Sequence, residues 1–257
     1  MTPFDSIILG IVEGITEFLP VSSTGHLILA SSLLGILQTE FVKTFEIAIQ
    51  LGAILAVVAL FWRSFLDLPL LKKIIVAFIP TGIIGLAVYH IVKTYLIGNE
   101  YVVLASLLVG GIALIAFERF HGEKDGAVGI SELSYKNAAL IGVFQAVAVI
   151  PGISRSAATI VGGLALNLSR VAIVEFSFLL AVPTMLAATG LDLVKTSAHF
   201  SGSDWLALSI GFLVSFVVAL GVIRWFLKYV RGHSFVPFGW YRIGISVLFL
   251  AWLLFAH

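Results

Sequence analysis

The sequence predicts an all-α polytopic membrane protein with six transmembrane helices and two re-entrant helix-loop-helix hairpins, arranged as an inverted-topology repeat. Three observations carry this prediction. The composition is strongly apolar, six apolar segments are long enough to span a bilayer, and two further apolar segments are each broken by a similar polar turn.

The composition is that of a chain whose main solvent is lipid. Hydrophobic residues account for 60% of the 257 residues and charged residues for only 11%, whereas a soluble domain carries roughly 25% charged residues. A formal net charge of +1 argues against nucleic acid as a partner. No cysteine is present, so disulfides and thiolate metal sites are excluded. The first segment carries Glu13 and Glu17, which a cleaved signal peptide would not tolerate, so we expect it in the mature fold.

Six segments satisfy the requirement of about 20 mostly apolar residues for a membrane-spanning helix. They are residues 43–62, 71–92, 101–118, 171–194, 204–228 and 237–256. Two further apolar regions, 4–37 and 134–168, are interrupted by Pro20 and by Pro151, each followed by a serine-rich stretch. Their flanks are too short to span, so we expect hairpins that enter and leave on one side. Irregular backbone at membrane depth needs cover from protein or a wet cavity, which predicts that both hairpins line an internal site.

The two broken regions are similar in sequence, which indicates an internal repeat. Gly10–Glu13 recurs as Gly142–Gln145, and Ser22–Thr24 recurs as Ser154–Ser156, both 132 positions later. We therefore expect one membrane domain over residues 1–257, with repeat halves 1–118 and 134–257 joined by a cytoplasmic linker, 119–133.

The distribution of Lys and Arg predicts the orientation of the chain. The loops after the first, third and fifth spans hold most of these residues: Arg63, Lys72, Lys73, Arg119, Lys124, Lys136, Lys228 and Arg231. The alternate loops hold only Lys93 and Lys195. Loops rich in Lys and Arg lie in the cytoplasm, so both termini are expected outside. The first hairpin then enters from outside and the second from inside, as in inverted repeats with a site near the bilayer midplane.

Two acidic residues in the first hairpin are candidates for a cation site. Glu13 and Glu17 are four residues apart, so on a helix they project from one face. Each costs on the order of 3 kcal/mol at membrane depth, and a divalent metal with oxygen ligands would offset that cost. The alternative is a structural role at the interface or in a salt bridge.

The stretch from Pro20 to His26 is a candidate phosphate site. Its N-cap residues predict a helix N-terminus, which attracts phosphate through free N–H groups; the alternative is a simple capped turn. His26 lies within reach of the Ser22 or Ser23 hydroxyl and could act as general acid or base, or only as a packing residue.

Arg155, between two serines, needs an anion: a phosphate, or the carboxylate of Glu13 or Glu17.

Glu46 and Gln50 share a helix face, and two interpretations stay open for them. They belong to a site, or Glu46 merely pairs with Lys43.

The segment Glu13–His26 resembles the signature of the undecaprenyl-diphosphate phosphatase family associated with bacitracin resistance. Pro151–Ser156 and Glu175–Pro183 resemble further motifs of that family. The resemblance implies hydrolysis of undecaprenyl diphosphate to undecaprenyl phosphate and inorganic phosphate, which recycles the cell-wall lipid carrier. It also implies a divalent cation, Mg²⁺ or Ca²⁺, and a site in the bacterial plasma membrane that opens to the outer side.

Residue roles follow from the same resemblance. The catalytic residues are expected to be Glu17, Ser23, His26 and Arg155, the metal-linked residues Glu13 and Glu17, and the substrate-binding residues Ser22, Thr24, Ser154, Arg155 and Ser156. The nucleophile is Ser23 or a water molecule. The expected partners are undecaprenyl diphosphate and membrane lipid, and a homodimer is kept as an alternative to a monomer. The rival function is a lipid-carrier flippase or ion-coupled transporter, because inverted repeats with broken helices are a transporter design.

Overall fold

The computed structural model describes residues 1–96, 99–123, 126–195 and 201–256. Within these ranges the regular secondary structure is helical, apart from one isolated β-bridge between Val128 and Leu168. The α-helices of the described ranges are α1 (Pro3–Thr16), α2 (Ser23–Leu33), α3 (Glu40–Phe61), α4 (Leu68–Ile91), α5 (Glu100–His121), α6 (Tyr135–Ala146), α7 (Arg155–Ala165), α8 (Arg170–Lys195), α9 (Gly202–Tyr229) and α10 (Val236–Ala256). Six of them, α3, α4, α5, α8, α9 and α10, are long and apolar enough to cross a membrane. The predicted number and approximate positions of the spans are confirmed.

Both predicted interruptions occur as gaps between two short helices. Residues 17–22, here called the first break, separate α1 from α2, and residues 147–154, the second break, separate α6 from α7. The helix after each break has 11 residues, and the two helices begin 132 positions apart.

The residue that caps the helix after each break has the same unusual conformation. Ser22 has φ +74° and Ser154 has φ +76°, in the left-handed region that non-glycine residues rarely adopt. Each serine hydroxyl accepts a hydrogen bond from the main-chain N–H three residues later, at 3.4 Å in the first turn and 3.2 Å in the second. The two polar turns therefore resemble each other in backbone as well as in sequence.

Each short helix before a break packs closely on a long helix of the other half. α1 lies against α9, and α6 lies against α4. A Cβ atom on Gly10 would lie 2.8 Å from the main-chain oxygen of Gly211, and one on Gly142 would collide with the main-chain oxygen of Ala77. Glycine at these two positions, 132 residues apart, lets the paired helices approach. This packing brings the two breaks together at the centre of the molecule.

α5 continues to His121, three residues into the predicted linker 119–133. Arg170, at the start of α8, forms ion pairs with Glu118 at 2.6 Å and Glu123 at 3.0 Å and so ties the end of α5 to the second half. Lys124 and Asp125 of the predicted linker lie outside the described residues.

Candidate active site

A cavity of about 540 Å³ lies between the two breaks. Six of the residues predicted for the site line it: Glu17, Ser22, Ser23, Thr24, Ser154 and Arg155. Apolar side chains of α4, α8 and the second break form much of the remaining wall, among them Phe78, Leu86, Val149, Ile150 and Met185. The cavity thus combines a charged end with an apolar wall.

Glu17 connects the two breaks through its carboxylate. Its Oε1 lies 2.8 Å from Nη2 of Arg155, and its Oε2 accepts a hydrogen bond of 2.5 Å from the hydroxyl of Ser23. Glu17 follows the last residue of α1, whereas Ser23 and Arg155 are the first residues of α2 and α7. The expectation that Arg155 lies against a carboxylate of the first hairpin is confirmed, and the carboxylate is that of Glu17.

The guanidinium of Arg155 is oriented by α8. Its Nη1 donates to the main-chain oxygen of Ser177 at 2.9 Å, and the Ser177 hydroxyl lies 2.6 Å from that of Thr159 on α7. Its Nε is buried and has no hydrogen-bond partner among the described residues. The Nε–H of Arg155 is therefore a buried donor without an acceptor in the described structure.

The N-terminus of α2 faces the cavity with Ser22, Ser23 and Thr24. The N–H groups in the first turn of a helix have no partner within the helix. The aligned peptide dipoles add a partial positive charge there. Together with Arg155, this terminus gives the cavity two independent elements that favour an anion.

Glu13 lies one helical turn before Glu17, whose main-chain N–H donates to the Glu13 carbonyl at 2.9 Å. The Glu13 side chain is fully buried, and neither carboxylate oxygen has a hydrogen-bond partner in the described part of the chain. A buried carboxylate so placed needs a proton or a cation. Within the described ranges, no group of three or more His, Cys, Asp or Glu side chains converges on one point. The Glu13 and Glu17 oxygens fit a hard divalent cation only if phosphate or water supplies its other ligands.

His26, in the first turn of α2, is not among the residues that line the cavity, and its ring lies on the side of α10. Its Nδ1 is 2.7 Å from the main-chain oxygen of Ser22, and its Nε2 is 2.8 Å from the hydroxyl of Tyr241 on α10. Both ring nitrogens thus have partners other than the Ser22 and Ser23 hydroxyls, on the Ser22 main chain and on α10. The acid/base role of His26 stays a prediction.

Glu13, like His26, is not among the residues that line the cavity, and three other candidates also lie away from its wall. Ser156 is buried and donates to the main-chain oxygen of Phe18 at 2.9 Å.

Glu46 accepts hydrogen bonds from Ser31 and Gln38, at 3.0 and 3.3 Å. The alternative that Glu46 pairs with Lys43 is wrong, because Lys43 pairs with Glu40 at 2.7 Å. Gln50 does not line the cavity either.

Gln145, Thr81 and Thr184 form a polar group on the cavity wall that was not predicted from the sequence. The two threonine hydroxyls donate to main-chain oxygens of Gly142 and Leu180, so both must accept from the amide NH₂ of Gln145, at 2.9 and 3.1 Å. This arrangement leaves the amide oxygen of Gln145 buried without a partner among the described residues. The available signal was the repeat, since Gln145 lies 132 positions after Glu13.

Six apolar spans, and a cavity with a charged end between two broken helix pairs, define a multi-pass membrane protein with a buried carboxylate, serine and arginine site. The family model described as bacitracin resistance protein BacA matches residues 6–248. The chain belongs to this family.

Relatives named undecaprenyl-diphosphatase match the chain over nearly its whole length. The protein of Sulfurihydrogenibium sp. (strain YO3AOP1) is 54% identical over 253 residues, which cover 98% of this chain and 100% of the relative. That of Aquifex aeolicus (strain VF5) is 53% identical and covers 99% and 100%. That of Wolinella succinogenes is 52% identical and covers 98% and 99%.

Proposed function

We propose that this protein hydrolyses undecaprenyl diphosphate to undecaprenyl phosphate and inorganic phosphate. Membership in the family and the name shared by its relatives supply the substrate. The structural observation that carries the proposal is the Glu17 carboxylate, which contacts Ser23 on one side and Arg155 on the other at the charged end of the cavity.

The cavity suits a phosphorylated lipid. The diphosphate would lie against Arg155 and the α2 N-terminus, with Ser22, Thr24 and Ser154 beside it. The prenyl chain would follow the apolar wall formed by α4 and α8 toward lipid. A guanidinium matches two oxygens of one phosphate, so Arg155 would bind the headgroup through its fork.

Arg155 and Glu17 form an ion pair in which Nη2 lies 2.8 Å from Oε1, so their charges neutralise each other. In our proposal the diphosphate attracts the guanidinium from Glu17, whose carboxylate then becomes a stronger base for Ser23. A nucleophile hydrogen-bonded to its base is the arrangement that nucleophilic catalysis requires. Substrate binding would thereby activate the nucleophile.

The reaction would proceed through Ser23. Its oxygen attacks the terminal phosphorus, its proton passes to Glu17, and the bond to the bridging oxygen breaks to release undecaprenyl phosphate. Glu17 then gives the serine proton to the oxygen of the departing undecaprenyl phosphate and is a carboxylate again. It accepts a proton from a water molecule, which attacks the phosphoserine, and this proton passes to the Ser23 oxygen as inorganic phosphate leaves. The N–H groups at the start of α2 and the Arg155 guanidinium stabilise charge on the equatorial oxygens. A divalent cation, Mg²⁺ or Ca²⁺, bound by Glu13 and Glu17 would supply further charge neutralisation for the phosphates.

The membrane arrangement is part of the proposal. The two broken pairs would form re-entrant hairpins from opposite sides of a bacterial inner membrane, with the cavity open to the outer side. The matched turns at Ser22 and Ser154 and the matched packing of α1 and α6 support an inverted repeat. Because the sequence contains no cysteine, single cysteines at Leu37 and Tyr135 can be labelled from each side of sealed vesicles. The proposal requires outside labelling at Leu37 and inside labelling at Tyr135; the same side for both contradicts the inversion.

Phosphate release tests the function. Purified protein in detergent, given undecaprenyl diphosphate and Mg²⁺, should release inorganic phosphate, and Glu17→Gln should reduce the rate at least about 10²-fold by removing the base. Glu40→Gln is the control, because Glu40 is an exposed acid that pairs with Lys43 outside the cavity, and it should keep the wild-type rate within about threefold. A flippase or transporter without chemistry would release no phosphate.

A further inference from the structure

Arg242 is a fully buried arginine in the second turn of α10, one of the six apolar spans. An arginine inside an apolar span is costly unless its charge and its donors are satisfied. Among the described residues Arg242 forms no ion pair with a carboxylate. Neither an ion pair nor contact with lipid headgroups therefore explains how this buried charge is stabilised.

The guanidinium of Arg242 donates to five main-chain oxygens, which equals the number of its N–H groups. The acceptors are Leu107 at 3.4 Å and Ser106 at 3.1 Å on α5, Pro20 at 3.3 Å in the first break, and Gly152 at 3.0 Å and Ile153 at 2.9 Å in the second break. One rigid planar group thus joins both breaks to the same stretch of α5.

The bonded oxygens lie next to the residues of the proposed site. Pro20 stands midway between Glu17 and Ser23, and Ile153 is two residues before Arg155. The contacts of Glu17 with Ser23 and Arg155 depend on the relative position of the two breaks. We infer that Arg242 is a positioning residue that holds the two breaks in register, so that Glu17 reaches both partners at once. The inference rests on the proposed function for its catalytic consequence.

The surroundings of Arg242 are shaped to admit its guanidinium. A Cβ atom on Gly110 of α5 would collide with Nη2 of Arg242. Gly152 has φ +92°, and a Cβ atom there would lie 2.7 Å from the main-chain oxygen of Val103. The second break is thereby pressed against α5, within reach of the arginine. The charge of Arg242 also lies behind both turns, where it favours an anion in the cavity.

Hydrogen exchange tests the positioning role without relying on activity. Arg242→Gln removes the charge and the fork, Arg242→Lys keeps only the charge, and Gly110→Ala displaces the guanidinium while the arginine stays. Gly244→Ala is the matched control, since its new methyl group on α10 meets nothing within 4 Å.

We expect Arg242→Gln and Gly110→Ala to raise the rate of amide hydrogen exchange about tenfold in peptides that cover both breaks, with the rate in α9 unchanged. Unchanged exchange in both breaks, or a uniform rise along the chain, would overturn the inference. Gly110→Ala decides the question if Arg242→Gln does not fold.

Kinetics provide a second readout that a merely structural role would not move. Displacing the breaks should reduce kcat by about 10²-fold in Arg242→Gln and Gly110→Ala, whereas Arg242→Lys should recover part of the loss and Gly244→Ala should match the wild type. Full kcat in Gly110→Ala would contradict the inference. If the wild type releases no phosphate but exchange behaves as expected, the hydrolytic function fails and the positioning role stands.

Discussion

Ser156, the second residue of α7, donates a hydrogen bond of 2.9 Å to the main-chain oxygen of Phe18 in the first break. The bond runs between the two halves of the chain, beside the contact of Arg155 with Glu17. Sequence resemblance implied that Ser156 binds substrate, whereas the structure gives its hydroxyl an internal partner. The two interpretations lead to different behaviour on substitution.

Ser156→Ala should weaken the junction of the breaks rather than substrate binding. Loss of one buried hydrogen bond costs about 1 kcal/mol or somewhat more, so we expect a lower unfolding temperature in detergent and a KM within about threefold of the wild type. Thermal unfolding and phosphate-release kinetics measure the two quantities. A KM raised tenfold at unchanged unfolding temperature would instead make Ser156 a substrate contact.

Arg155→Lys should separate charge from geometry at the clamp. Lysine keeps the positive charge but lacks the planar fork that matches phosphate and the contact to Ser177. We expect kcat/KM for undecaprenyl diphosphate to fall about 10²-fold, and Arg155→Gln to fall further. Arg231→Gln is the control, because Arg231 is an exposed arginine. Equal activity of Arg155→Lys and the wild type would exclude recognition through the fork.

Glu13→Gln tests the proposed cation site. The substitution preserves shape and removes the charge of a carboxylate whose oxygens have no partner in the described structure. We expect the Mg²⁺ concentration for half-maximal rate to rise at least about tenfold, because one charged oxygen ligand is lost. A Mg²⁺ titration of the phosphate-release rate measures this effect. An unshifted titration curve would assign Glu13 a proton instead of a cation.

Tyr241→Phe examines the role of His26. The substitution removes the hydroxyl that lies 2.8 Å from Nε2 of His26 and leaves the stacked ring in place. If His26 only supports the turn from behind, His26→Gln and Tyr241→Phe should each reduce kcat by less than about tenfold. Loss of a general acid or base costs about 10²–10⁴-fold. A loss of that size in His26→Gln alone, with an altered pH profile, would restore the acid/base role.

Several features followed from the sequence because their physical causes are local. Pro20 and Pro151 are each followed by a helix-capping serine, Ser22 and Ser154, and this combination predicted both breaks. Proline alone would not have sufficed, because Pro80 and Pro183 lie inside α4 and α8. An anionic partner for Arg155 could be predicted because buried charges inside spans need partners, but the choice between Glu13 and Glu17 came from the structure. The repeat also made the similar turns at Ser22 and Ser154 foreseeable.

Other features depend on contacts between distant segments. Sequence spacing placed His26 near Ser22 but did not determine the direction of its ring, which Tyr241 sets from 215 positions away. The partners of Gln145, at Thr81 and Thr184, lie on two other helices. Arg242 carried a signal, a single arginine within an apolar span, but its five main-chain partners belong to three segments that only the fold assembles.

The central claim is that Ser23, hydrogen-bonded to Glu17, attacks the terminal phosphorus. The most direct measurement is rapid acid quenching of the enzyme during turnover of substrate labelled in its terminal phosphate, followed by mass spectrometry of the peptide that contains residues 17–33. The account predicts labelled phosphate on Ser23, retained in Ser22→Ala and absent in Ser23→Ala, which should also lose hydrolysis. Undiminished hydrolysis by Ser23→Ala, with no label on the wild-type peptide, would contradict it and assign the attack to water.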